Sequence, residues 1–279
     1  MNSNSERYAE IKQNLCRFAE ETDAVRAVIA IGSTTRSDIP ADEFSDLDLF
    51  IVTESPEGWL SGEYPRLFGN VSISFVEPTL GGGMERRCIY DEDKDTDMMI
   101  LTPLQFEKAL KEGAAQWVMN RGYRILCDKD GYEREIPKYV NLTADHADMT
   151  EKEFTNVVSD FFFHNIWACK KLKRGELWSA KICIDAYLKK LLLKIIEEYQ
   201  LCMGTEDVWH DGRFLERWAD NTVLEGLKDC FAHYDADDCR RALQQTHRLF
   251  SQLSKAAAEK KGFEYPEIAE KCAEAYIMG

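Results

Sequence analysis

At 279 residues, with 44% hydrophobic and 30% charged side chains, the chain has the composition of a globular protein of one large or two ordinary domains. Its formal net charge of −15 argues against a general nucleic-acid binder, which needs basic surface to neutralise phosphates, and suits a cationic partner. No run approaches the roughly 18 apolar residues of a membrane span, residues 1–6 carry no apolar export core, and the nine cysteines include no C-x-x-C pair. The expectation is a cytoplasmic protein that binds neither membrane nor nucleic acid and exists as a monomer or weak homodimer.

Tyr8, Ile11, Leu15 and Phe18 recur at helical spacing, which predicts an amphipathic helix over 7–22. A β-branched apolar run then predicts a buried strand over 25–31, ending at Gly32-Ser33. Residues 34–44 read as a turn and loop, and 46–52 as the second strand. The segment 54–66, with two prolines and two glycines, reads as loop with about one helical turn. Further strands are expected over 71–76, 87–90, 97–101 and 123–127. Gly81-Gly82-Gly83 lacks a following G-K-[ST] and reads as a flexible loop, and the acids of 91–95 read as a solvated turn. A helix is expected over 104–121.

Beyond residue 131 the texture changes. No proline occurs between Pro137 and Pro266, and helical periodicities dominate over 151–172, 177–199, 224–231 and 238–261, with a last short helix over 266–277. The fold class is therefore α+β: an N-terminal mixed sheet with flanking helices, residues 1–135, then an all-α domain, residues 136–279. Trp167, Trp178, Trp209 and Trp218 are expected in the core.

The chemistry concentrates around Asp46-Leu47-Asp48. In a strand, residues i and i+2 project to one face, so both carboxylates point the same way. Two like charges that close repel, and a divalent cation such as Mg²⁺ is the usual remedy because it takes hard oxygen ligands. Gly32 permits close backbone approach, and Ser33 with the following N–H groups can hold an anion. Asp97 opens a later apolar strand and can point into the same site. Nucleotidyl transfer needs this set: a grip on a triphosphate, carboxylates for one or two metals, and a carboxylate that ligates metal or takes a proton from the incoming hydroxyl.

The stretch Gly32-Ser33-Thr34-Thr35-Arg36, followed by Pro40-Ala41-Asp42-Glu43-Phe44-Ser45-Asp46-Leu47-Asp48, resembles the nucleotidyltransferase motif of the aminoglycoside 6-adenylyltransferase (streptomycin adenylyltransferase) family, within the DNA polymerase β-like superfamily. Thr96-Asp97-Met98-Met99-Ile100-Leu101-Thr102-Pro103 resembles that family's third-carboxylate strand. Gly262-Phe263-Glu264-Tyr265-Pro266 resembles the segment after its closing helix. The chain departs from the family at Thr34, where arginine is common, and at Met98-Met99.

The resemblance implies Mg²⁺-dependent transfer of AMP from ATP to a hydroxyl of an aminoglycoside, streptomycin at its 6-position being the first choice, with release of pyrophosphate and resistance as the outcome. It implies metal ligation by Asp46, Asp48 and Asp97, with Asp97 as general base and substrate contact. Gly32, Ser33, Arg36, Lys189 and Arg213 are then candidate nucleotide contacts and Asp185 a substrate contact. For Asp185 and Lys189 an i,i+4 ion pair is the competing reading. The rival functions are transfer to a different hydroxyl acceptor, or a silent nucleotide-binding module.

Overall fold

A computed structural model of the chain describes residues 7–36, 38–79, 83–143, 146 and 148–278; Gly81 and Gly82 of the expected glycine loop lie outside them. By internal contacts the chain divides into two compact units, Met1–Asp145 and His146–Gly279.

In the first unit β1 (Val25–Ile31), β2 (Leu47–Thr53), β3 (Val71–Pro78), β4 (Met84–Tyr90), β5 (Lys94–Leu101) and β6 (Arg124–Asp128) form one sheet. Its order is β3-β4-β5-β2-β1-β6. β2 and β5 run parallel, and the other neighbouring pairs are antiparallel. Strands appear where the sequence pattern places them, several of them longer.

The central strands are apolar on both faces because both are covered. Val28, Ala30, Leu49 and Ile51 pack with Ile11, Leu15 and Ala19 of α1 (Ala9–Glu21). Ala27, Ile29, Ile31, Phe50 and Val52 pack on the other face against Phe106 and Leu110 of α2 (Pro103–Lys111). Each valine, leucine, isoleucine or phenylalanine among them contributes roughly 1.5–3 kcal/mol by leaving water. Tyr132, Ile136 and Val140 join this second layer, so by packing the residues just after 135 belong with the sheet.

The single helix expected over 104–121 is two: α2 and the one-turn α3 (Gln116–Met119). Gly113, at φ +90°, turns the chain between them, a conformation open to glycine at little cost. Thr102 starts α2 with a reciprocal capping box to Gln105. The acidic turn expected over 91–95 is also tighter. Asp91 and Glu92 take positive φ, and β5 already begins at Lys94.

The second unit is helical, and among the described residues it contains no strand. It is built on α4 (Glu151–Lys173), α5 (Leu177–Ile182), α6 (Leu188–Cys202), α7 (Asn221–Leu227), α8 (Ala236–Lys261) and α9 (Glu267–Met278). Thr150 with Glu153 caps α4, and Asp235 caps α8 by accepting from the N–H groups of Asp237 and Asp238. Phe161 and Phe250 stack at 3.5 Å between α4 and α8. The helix expected over 224–231 instead begins at Asn221, where Asp220 accepts from the Val223 N–H, and ends at Leu227. A wide five-residue π turn, Cys183–Tyr187, joins α5 to α6. Of the tryptophans expected inside, Trp209 is buried, but Trp178 is 68% exposed. Among the described residues no helix is long and apolar enough to cross a membrane.

Candidate metal and phosphate site

The sheet's alternation fixes where the carboxylates point. Asp48, Phe50 and Val52 share one face of β2, and Asp97, Met99 and Leu101 share one face of β5. Phe50, Val52 and Leu101 lie in the layer under α2, so the carboxylates continue that face past its last apolar residues. Parallel register sets Asp48 directly beside Asp97. Asp46 sits just before β2 on the same side. The three carboxylates each offer an oxygen, and these oxygens all lie within 4.8 Å of one another.

Gly32 closes the other flank. Asp48 pairs across β1 with Ile31, and the next residue turns at φ +68°. A Cβ built on Gly32 would stand 2.1 Å from Asp48 Oδ2. Glycine is therefore required twice over, for the backbone angle and for the space the carboxylate fills. A one-turn 3₁₀ helix, Gly32–Thr34, follows. The N–H groups of Thr35 and Arg36 turn back to the Gly32 carbonyl, leaving those of Ser33 and Thr34 as the turn's first donors. The nearly buried Ser33 hydroxyl donates to the Asp46 carbonyl at 3.4 Å, which couples the turn to the metal side of the site.

The electrostatics are those of like charges gathered together. Burial, the largest cause, pushes the Asp97 carboxyl up to about 7, and the Glu85 and Asp46 charges add to the rise. Arg87 opposes them from β4, where it pairs across the strands with Asp97, its guanidinium 3.3 Å from Asp97 Oδ2. Arg87 is itself shared with Glu77 at 2.8 Å and Glu85 at 2.9 Å. Arg87 is thus divided among three carboxylates. Hard oxygen donors that converge in a partly desolvated corner fit a divalent cation such as Mg²⁺. Glu85 and Arg87 are functional candidates that the sequence pattern missed. Starting the strand at 87 left Glu85 in a loop, and the alternation Glu85–Arg87 went unread.

The other predicted residues have partners of their own, Arg36 in the first unit and Lys189, Asp185 and Arg213 in the second. Arg36 is folded onto its own loop, its Nε donating to the Ile39 carbonyl at 2.7 Å. Lys189, only 11% exposed, donates inside the helical unit to the Ile184 carbonyl and the Thr246 hydroxyl, each at 2.9 Å. Its Nζ also lies 4.9 Å over the Phe231 ring. Burial pulls its pKa down to about 8. Asp185, in the π turn, pairs with Lys181 and lies 4.0 Å from Lys189, so the ion-pair geometry is present. Arg213 follows a turn in which Asp211 takes φ +54°. Its carbonyl accepts from Trp218 Nε1 at 2.8 Å and its side chain is exposed.

The chain is similar to several known proteins. A family model described as "Streptomycin adenylyltransferase" matches residues 5–279. An aminoglycoside 6-adenylyltransferase of Bacillus subtilis (strain 168) is 21% identical over 276 residues, covering 91% of this chain and 90% of the relative. One of Campylobacter jejuni is 22% identical over 274 residues, covering 94% and 92%. A crystal structure of an aminoglycoside 6-adenyltransferase from Bacillus subtilis aligns over 96% of this chain and 97% of its own, with TM-score 0.46 and 17% identity.

Proposed function

From the premise that this chain belongs to the streptomycin adenylyltransferase family and is a nucleotidyltransferase, we propose that it transfers AMP from ATP to a hydroxyl of a cationic aminoglycoside, streptomycin first among them. The observation that carries the reading is the carboxylate corner: Asp46, Asp48 and Asp97 converging beside a glycine whose missing side chain makes room for Asp48.

In this reading Asp46 and Asp48, with Asp97, hold Mg²⁺. When bound, the cation supplies charge neutralisation on the phosphate oxygens and polarises the α-phosphorus. The Ser33 and Thr34 N–H groups and the Ser33 hydroxyl grip the phosphates, and Gly32 keeps that grip close to the carboxylates. Asp97 is the general base that accepts the acceptor's hydroxyl proton. The acceptor oxygen then forms its bond to the α-phosphorus while the bond to the leaving pyrophosphate breaks. Arg87, 3.3 Å from Asp97, holds that carboxylate in place. The formal net charge of −15 supports a polycationic acceptor, since a field of one sign concentrates the opposite charge.

The test is the product. Purified protein with ATP, Mg²⁺ and streptomycin is expected to give the antibiotic with one added adenylyl group by mass spectrometry, and one pyrophosphate per product. Absence of both across a panel of aminoglycosides overturns the reading.

A further inference from the structure

The helical unit carries a second cluster that the carboxylate corner does not use. Asp160, Phe163, His164 and Trp167 recur at i, i+3, i+4 and i+7 along α4, which sets them on one face. His164 Nδ1 lies 2.6 Å from Asp160 Oδ1. The Tyr187 hydroxyl, from the end of the π turn, donates to both oxygens of Asp160, at 3.1 and 3.0 Å. The rings of His164 and Tyr187 are 4.3 Å apart. Phe163 packs edge-on to His164 at 5.2 Å, yet is 64% exposed.

Two features set this patch apart from ordinary helix surface. The first is the π turn itself. One extra residue in a helix rotates all that follows by about 100°, and such turns concentrate at functional sites. Here the rotation aims Tyr187 at Asp160 while Leu188, Leu191 and Leu192 stay in the core. The second is the charge. Among the described residues Asp160 pairs with His164 and with no lysine or arginine, and it lies beside the exposed Phe163 and Tyr187 rings.

A carboxylate framed by aromatic faces recognises a guanidinium or ammonium group, through charge-assisted hydrogen bonds and the ring quadrupole. We propose that Asp160, His164, Tyr187 and Phe163 form a binding site for the cationic acceptor, with Asp160 holding one basic group and the exposed rings flanking it. The proposal rests on the acceptor reading above and names residues for it in the helical unit. His164 and Tyr187 act as positioning residues, fixing the carboxylate rotamer.

The test is calorimetric titration of the full chain with streptomycin, without nucleotide or metal, for the wild type, Asp160→Asn and Phe163→Ala. Phe163 is exposed and asparagine still accepts from Tyr187, so both variants are expected to melt with the wild type. Each substitution is expected to weaken streptomycin binding at least tenfold and to raise its KM while the KM for ATP stays unchanged. Tyr187→Phe is expected to give a smaller loss of the same kind. Streptomycin affinity and KM unchanged in Asp160→Asn and Phe163→Ala overturn the proposal while the adenylyl-transfer reading stands. Binding lost in the variants, with no product from the wild type, upholds this site and overturns the transfer. A wild type that binds no streptomycin overturns the site.

Discussion

Two clusters of half-buried charge in this molecule are arranged in opposite ways. In the helical unit Asp185 has Lys181 on one side and Lys189 on the other, and Lys189 finds a carbonyl, a hydroxyl and a ring face. In the sheet, Asp46, Asp48 and Asp97 converge, and the Arg87 beside Asp97 is divided among three carboxylates. In the first arrangement lysines flank one carboxylate, although its Oδ1 accepts no hydrogen bond. In the second, three carboxylates come within reach of one cation. A carboxylate flanked by lysines is accounted for by the fold, whereas like charges gathered together mark where chemistry is expected.

The contrast is open to direct attack. Asp48→Asn removes a ligand from the carboxylate cluster without changing its volume. Pyrophosphate release is expected to fall by about three orders of magnitude, the scale of losing an electrostatic contributor to catalysis, with the melting temperature unchanged or raised. Full turnover in that variant breaks the comparison at its first term. Lys189→Met attacks the lysine-flanked site. It leaves the Thr246 hydroxyl and the Ile184 carbonyl without their donor, and the expected cost is about 2 kcal/mol in denaturant unfolding, with kcat held within a factor of about three. A collapse of activity at unchanged stability would instead make Lys189 part of the reaction.

The smallest effect concerns pH. Asp97 is raised from 3.8 to about 7, so between those values the folded chain holds a proton that the unfolded chain has lost. Its contribution to stability is thus present below about pH 3.8 and gone above about 7. Metal-free Asp97→Asn is therefore expected to melt a few degrees above the wild type at pH 8, and the two should converge toward pH 4. Adding Mg²⁺ at pH 8 should close the gap by stabilising the wild type alone. A gap independent of both pH and Mg²⁺ would remove the gathered like charge from the account of this corner.

Much of the corner was legible before any coordinates. Glycine at a strand's end and carboxylates at i, i+2 are local patterns, and the strands carrying them are apolar enough to declare themselves. The α2–α3 break was less visible. Gly113 is a single residue inside an otherwise helical pattern, and only its positive φ shows that it ends the helix. Glu85 and Arg87 were lost because their strand begins at Met84, where Glu85 and Arg86 interrupt the apolar signal. Lys189 and Asp185 illustrate the opposite limit. Their spacing states that they can meet, but not that Lys181, Thr246 and Phe231 are waiting from other helices or turns. The π turn leaves no mark in the sequence, since Cys183–Tyr187 carries ordinary helix-compatible residues.

The parallel pairing of β2 with β5 has a consequence for how the site comes into being. Asp48 and Asp97 are neighbours only through that register, and the whole β3–β4 excursion lies between them in the chain. Contacts so distant in sequence are slow to form, because the closure of a long loop precedes the pairing. A slip of one residue would also turn every side chain of the strand to the other face. The carboxylate corner therefore depends on one long-range pairing. A chain with its hairpins and helices in place but β5 not yet paired with β2 would carry no such corner. Activity is then a report on the completion of the sheet itself.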